Sequence, residues 1–153
     1  MRSALVVIVV LFFPFTAVAL HTDQPGSGGH TKHYEQSLFK MMEKGLYSVE
    51  MVIPEKELTV GVNTLDIIVH DNHDKDVVGA EITVVPWMPE MGHGVFEKPV
   101  IKERGGGLYS VENVVLIMRG HWQLRIKITK RDTEDMVTFD FPDVKTMGQS
   151  PFP

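Results

Sequence analysis

Methionine and histidine side chains cluster in residues 86–94, which read Pro-Trp-Met-Pro-Glu-Met-Gly-His-Gly. Met88 and Met91 supply two thioether sulfurs, and His93 supplies an imidazole. Soft sulfur ligands favour Cu(I), and imidazole binds copper in either oxidation state. Thioethers need no deprotonation, so they can bind copper in a chain that contains no cysteine. The segment therefore predicts a Cu(I) site with Met88, Met91 and His93 as ligands.

From the residue types alone, a structural interpretation of the same three side chains is favoured over the metal site. Methionine fills irregular apolar space well, and two methionines can plug the end of a β-domain while the histidine only occupies a turn. The pattern Met-x-x-Met-x-His is short, so a chance match is easy. The two interpretations differ in whether the three side chains converge on one point.

A second cluster, Met-Arg-Gly-His-Trp at residues 118–122, lies farther along the chain. Trp122 begins an alternation of apolar residues, so it is expected to face a core and His121 to point away from it. A neighbouring strand can bring His121 towards residues 86–94. His121 is therefore the candidate for a fourth copper ligand.

Catalytic patterns are missing from the sequence. It contains no nucleophile elbow, no phosphate-binding loop, no His-Glu-x-x-His and no cysteine nucleophile. The formal net charge is −5, and Lys and Arg do not cluster, which argues against a nucleic-acid partner. The sequence favours a binding protein over an enzyme.

The elements that carry these residues are predicted to be strands, because apolar residues recur at every second position. This pattern occupies residues 47–53, 65–69, 80–84, 122–128 and 137–141, with turns at residues 71–76 and 105–107. Short strands at this spacing predict an all-β, immunoglobulin-like sandwich of two sheets and about seven strands over residues 45–145. Residues 86–94 are expected to form a loop at one end of it. The expected core contains Val69, Ile82, Val84, Trp122, Leu124, Ile126 and Phe139.

The first residues have the pattern of a cleavable signal peptide over residues 1–19. Arg2 is followed by an apolar run and by Ala17-Val18-Ala19, which has the small residues that signal peptidase requires. An uncleaved membrane anchor is the alternative, although the apolar stretch is short for a span and contains Pro14. Either interpretation places the remaining chain outside the cytoplasm, in the periplasm or an equivalent extracytoplasmic space.

Two segments flank the predicted sandwich. Residues 20–44 are expected to be a flexible linker that ends in one short helix. The helix is suggested by Tyr34, Leu38, Met41 and Met42, which fall on one helical stripe, and by Gly45 as its terminator. Residues 146–153 are expected to be a disordered tail.

Several short motifs together resemble the FixH/YtkA-like family of exported or membrane-anchored immunoglobulin-like domains. They are Gly61-Val-Asn63, Gly79-Ala80, residues 86–94, Gly107-Leu-Tyr109 and residues 118–122. The resemblance covers about residues 61–141, and Asp74 departs from it at a position where a turn glycine is common. It implies a non-enzymatic domain, and Met88, Met91 and His93 occupy the family's motif positions. Relatives are associated with copper handling and with the assembly of copper-containing respiratory oxidases.

Two functions follow from the residues and the resemblance together. The first is an exported copper-binding accessory protein, a chaperone or store for Cu(I) that serves a membrane oxidase or a metal-efflux complex. The second is an immunoglobulin-like adaptor module that docks on a membrane complex and binds no metal.

Overall fold

The computed structural model describes residues 32–148. The predicted signal peptide, most of the predicted linker and residues 149–153 of the predicted tail lie outside this range. No helix among residues 32–148 is long and apolar enough to cross a membrane.

Within residues 32–148, nine strands form two antiparallel sheets. The strands are β1 (Leu38–Met41), β2 (Tyr47–Val52), β3 (Gly61–Asp71), β4 (Glu81–Met88), β5 (His93–Gly94), β6 (Val100–Gly105), β7 (Leu108–Leu116), β8 (Gly120–Lys130) and β9 (Thr133–Val144). One sheet has the order β1-β2-β3-β7-β6 and the other has the order β5-β4-β8-β9. The predicted all-β, two-sheet sandwich is confirmed, with nine strands in place of about seven.

The core lies between the two sheets, and every second residue of β4 and β8 faces it. All seven side chains expected in the core are buried in one apolar cluster. Trp122 is fully buried, and its Nε1 donates a hydrogen bond to the main-chain oxygen of Met118 at 2.9 Å. Removal of this apolar surface from water is the main force that holds the two sheets together.

The predicted helix within residues 34–44 is wrong. Residues 38–41 form β1, which pairs with β2 from Leu38 opposite Met51 to Met41 opposite Ser48. Of the four residues of the apolar stripe only Met42 is buried in the core, whereas Tyr34, Leu38 and Met41 stay exposed, so the stripe does not act as one buried helical face. Pairing with β2 instead satisfies the backbone groups of both segments. Gly45 does have the left-handed φ of 68°, but it serves the turn between β1 and β2.

A short segment before β1, residues 32–37, is attached to the outer face of the first sheet by Glu50. The Glu50 carboxylate is fully buried and accepts hydrogen bonds from the main-chain N–H of His33 and of Tyr34, both at 2.7 Å, and from Ser37 Oγ. Burial raises the pKa of Glu50, but the hydrogen bonds from Ser37, His33 and Tyr34 outweigh it and leave the pKa lowered. The folded state therefore favours the ionised form of the Glu50 carboxyl group.

The two chemistry-bearing segments meet at one end of the sandwich. β4 ends at Met88 and β8 begins at Gly120, and a Cβ added to Gly120 would lie 3.4 Å from Met88 Cε. β8 lies beside the end of β4 because the two strands are paired up to Trp87 opposite Gln123, and Gly120 itself has a φ of 128°, which favours glycine. This end of the sandwich holds the candidate site.

Candidate metal site

Residues 86–94, expected to form a loop, instead form a β-hairpin. Residues 86–88 complete β4, and His93 and Gly94 make up β5. The turn at residues 89–92 is closed by the carbonyl of Met88, which accepts from the N–H of Met91 at 3.2 Å and of Gly92 at 3.0 Å. The prolines of this segment suggested a loop. Pro86 precedes the part of β4 that pairs with β5, because β5 pairs only with the last two residues of β4. Pro86 is tolerated because the outer edge of β4 before that point lacks a partner in its sheet.

Met88 and His93 are opposite each other in the hairpin. Residues that face each other across an antiparallel pair project to the same side of the sheet. Met88 is only 4% exposed and belongs to the core cluster. Its thioether therefore lies beneath the hairpin, on the side from which His93 also projects.

Met91 and His93 present their side chains to solvent. Met91 is 55% exposed, which is high for a large apolar side chain. His93 Nδ1 lies 2.9 Å from the carbonyl oxygen of Gly94. A carbonyl only accepts, so this contact needs a proton on Nδ1, and in the neutral imidazole the lone pair is then on Nε2. Metal-binding histidines are commonly oriented by this kind of contact at the second ring nitrogen.

His121 reaches the hairpin through a carboxylate and not through a thioether. Its Nδ1 lies 3.0 Å from Glu90 Oε1, in the turn, and its Nε2 lies 3.3 Å from Asp140 Oδ1 on β9. Ionised carboxylates only accept, so both ring nitrogens carry protons in this arrangement. The hydrogen bond that His121 donates to Asp140 is the largest cause of a raised pKa of His121; burial opposes it, and the hydrogen bond and charge of Glu90 add to it. While both contacts are made, His121 has no lone pair for a metal.

The structure thus places three of the four candidate ligands on one hairpin and the fourth, His121, beside it. A metal role for the four residues stays a prediction. No group of three or more histidine, aspartate or glutamate side chains within residues 32–148 is arranged to hold a metal ion.

The family described as YtkA-like matches residues 47–127, which is more than half of the chain and includes the whole hairpin. The chain belongs to the YtkA-like family. The resemblance inferred from the motifs is confirmed. No curated protein matches the chain. Among solved structures, the crystal structure of a DUF4426 family protein from Pseudomonas aeruginosa PAO1 is similar, with 12% identity and a TM-score of 0.48. That similarity covers 69% of this chain and 97% of the other.

A polar network beside the hairpin of this YtkA-like domain was missed by the sequence analysis. Asp140 Oδ1 accepts from Gln123 Nε2 at 2.9 Å, and Gln123 Oε1 accepts from Arg125 Nε at 3.2 Å and Nη2 at 3.0 Å. The Arg125 guanidinium lies 4.4 Å from the centre of the Trp87 ring. The alternation along β8 places residues 121, 123 and 125 on one outer face, but their partner on β9 depends on a register that the sequence does not show.

Proposed function

We propose that this YtkA-like domain is an exported accessory protein that binds Cu(I) at the β4–β5 hairpin through Met88, Met91 and His93. The observation that supports this most is the contact between His93 Nδ1 and the Gly94 carbonyl oxygen. With Nδ1 donating there, the neutral imidazole offers its Nε2 lone pair two residues from the exposed thioether of Met91. The domain would act as a chaperone or store that serves a membrane oxidase or a metal-efflux complex.

The ligand chemistry of the hairpin suits Cu(I) better than other common ions. Two thioethers and one imidazole are neutral, and soft sulfur donors select Cu(I). Zinc prefers thiolate, imidazole or carboxylate, and it rarely accepts thioethers. The exposure of Met91 leaves one ligand accessible to a second protein. Such a site fits a protein that passes copper on after binding it.

An adaptor that binds no metal is the second candidate, and a separate observation favours it. Phe96 is fully exposed just beyond the hairpin, and Val62 and Ile117 are exposed at the same end of the sandwich. Where exposed apolar side chains form a contiguous patch, the patch serves as a contact surface for another protein. In this second function the methionines would only shape the surface that docks on a membrane complex.

Competition for Cu(I) against a chromogenic chelator under reducing conditions tests the proposal. The wild-type domain is expected to take one Cu(I) per chain from the chelator. Met91→Leu should weaken binding by at least about tenfold, and Met88→Leu/Met91→Leu should weaken it further, since even the loss of an outer contact to a ligand costs about 10–100-fold. Leucine keeps the apolar volume and removes only the sulfur, so the fold should be retained.

Met136→Leu is the matched control. Met136 is 40% exposed on β9, opposite Lys127 and away from the hairpin, so its thioether should not contribute. We expect this variant to bind copper as the wild type does. If the double variant at positions 88 and 91 also competes like the wild type, the hairpin is structural and the adaptor function takes its place.

A further inference from the structure

We propose that His121 is a positioning residue, not a ligand: by binding Glu90 it fixes the turn that carries Met91, and Asp140 fixes His121 in place. The inference rests on the proposed function where it concerns copper. Its structural part concerns the hairpin itself and stands on contacts that are present without metal.

The hairpin has little pairing of its own to hold it. β5 contains two residues, and only two residue pairs join it to β4. The turn at residues 89–92 contains a single polar side chain, that of Glu90, next to Met91. The contact of 3.0 Å between Glu90 Oε1 and His121 Nδ1 therefore ties the turn to β8. Without it, the turn would be held by its own two hydrogen bonds to Met88.

His121 is itself held by residues that lie outside the hairpin. Its other ring nitrogen binds Asp140 Oδ1, the same atom that accepts from Gln123. Asp140 and Gln123 are directly paired across β9 and β8. β8 is an inner strand of the four-stranded sheet, and β9 pairs with it along nearly its whole length, so the tie from Glu90 ends on paired strands of the sheet.

The same network also reaches the base of the hairpin. From Gln123 it continues to Arg125 and then to the ring of Trp87, which faces Gly94 across the hairpin. Gly94 fits closely there, because an added Cβ would lie 2.6 Å from the Pro86 carbonyl oxygen and 3.6 Å from Trp87 Cε3. The hairpin is thus held at its turn and at its base from one face of the sheet.

A hairpin held in this way would bind copper more tightly than a free one. The apparent affinity of a site is its intrinsic affinity multiplied by the fraction of molecules in which the site is formed. Ligands whose supporting contacts are in place also lose less conformational freedom on binding. Removing the tie should therefore weaken binding while all three proposed ligands remain.

The test is a double-mutant cycle with Glu90→Ala, His121→Ala and the two combined, measured as Cu(I) affinity by chelator competition. Each single variant should bind about 3–10-fold more weakly, and the double variant should bind no more weakly than either single one, because both remove the same tie. Glu97→Ala, which removes a nearby carboxylate outside the network, should bind like the wild type. If His121 is a ligand, Glu90→Ala releases its Nδ1 and affinity stays or rises while His121→Ala lowers it, which overturns the proposal.

Hydrogen exchange in the metal-free protein separates this inference from the proposed function. The amides of Met91 and Gly92 both bind the Met88 carbonyl and report on the turn directly. They should exchange several-fold faster in Glu90→Ala and His121→Ala, and at the wild-type rate in Glu97→Ala. Unchanged exchange in the first two variants contradicts the positioning role whatever copper does. Faster exchange in a protein that binds no copper supports the tie and contradicts only the copper site.

Discussion

Replacing Trp122 with alanine is expected to lower the free energy of unfolding by about 3–5 kcal/mol, the range for a large aromatic side chain removed from a packed core. Trp122 is among the largest fully buried side chains, and it lies where β8 begins. Its ring fills space between the two sheets, and its Nε1 holds the main chain at Met118. Urea unfolding followed by circular dichroism measures the loss.

Trp87→Ala is the control for this prediction, because the chain has two tryptophans. Trp87 is only half-buried, outside the core cluster, and its ring contacts Arg125 on the outer face of the four-stranded sheet. A cation–π contact of this kind contributes about 0.5–2 kcal/mol. Equal losses for the two substitutions would mean that Trp122 does not lie at the centre of the core.

Glu50→Ala is expected to cost about 2–4 kcal/mol at neutral pH. The substitution removes the acceptor for the N–H groups of His33 and Tyr34 and for Ser37 Oγ. A donor that loses its partner at a buried position costs about 1–3 kcal/mol, and residues 32–37 can limit the total by detaching into water. Urea unfolding gives the loss, and faster proteolysis within residues 32–37 should accompany it.

The contribution of Glu50 should also depend on pH in a defined direction. Its pKa is lowered from the ordinary value of 4.5 in the folded protein. A lowered pKa means that the stabilisation is fully present above pH 4.5 and is lost as the pH falls through the folded value. The difference in stability between wild type and Glu50→Ala should therefore be constant near neutral pH and shrink in acid.

Glu112→Ala is the matched control. The six residues Gly-Leu-Tyr-Ser-Val-Glu that end at Glu50 recur at residues 107–112, so Glu112 on β7 has the same preceding sequence as Glu50. Its side chain is 35% exposed and pairs with Lys102 at 2.7 Å and Arg104 at 3.7 Å. Pairs this exposed contribute about 0–1 kcal/mol. A loss from Glu112→Ala as large as that from Glu50→Ala would contradict the importance given to burial.

The sequence showed the alternation in five of the six strands that pack one face on the core. β2, β3, β4, β8 and β9 each carry an alternation of apolar residues, because one face of each strand packs on the core. In β7 the alternation of buried residues is interrupted, because two adjacent residues, Glu112 and Asn113, are both only partly buried. β1, β5 and β6 are edge strands with no fully buried residue, so they carry no such pattern. They are strands because a neighbouring strand offers backbone groups, and this depends on distant parts of the chain. The helix predicted in place of β1 shows that a short apolar pattern alone does not distinguish a helix from an edge strand.

The candidate site also has one part that local sequence predicts and one part that depends on distant residues. Met88, Met91 and His93 lie within six residues, so local sequence was enough to propose them together. The neighbours of His121 were beyond reach, since Glu90 and Asp140 are 31 and 19 residues from it in the chain. Their approach depends on the turn of one hairpin and on the register of β8 with β9. No spacing in the sequence records either of these.

X-ray absorption at the copper edge, on the wild-type domain loaded with one equivalent of Cu(I), tests the central claim most directly. The proposed site predicts sulfur neighbours from Met88 and Met91 together with one imidazole nitrogen from His93. In Met88→Leu/Met91→Leu the sulfur signal should be lost, whereas in Met136→Leu it should be unchanged. A wild-type spectrum with nitrogen and oxygen neighbours alone, or copper that is lost on gel filtration, would contradict a thioether site at the β4–β5 hairpin.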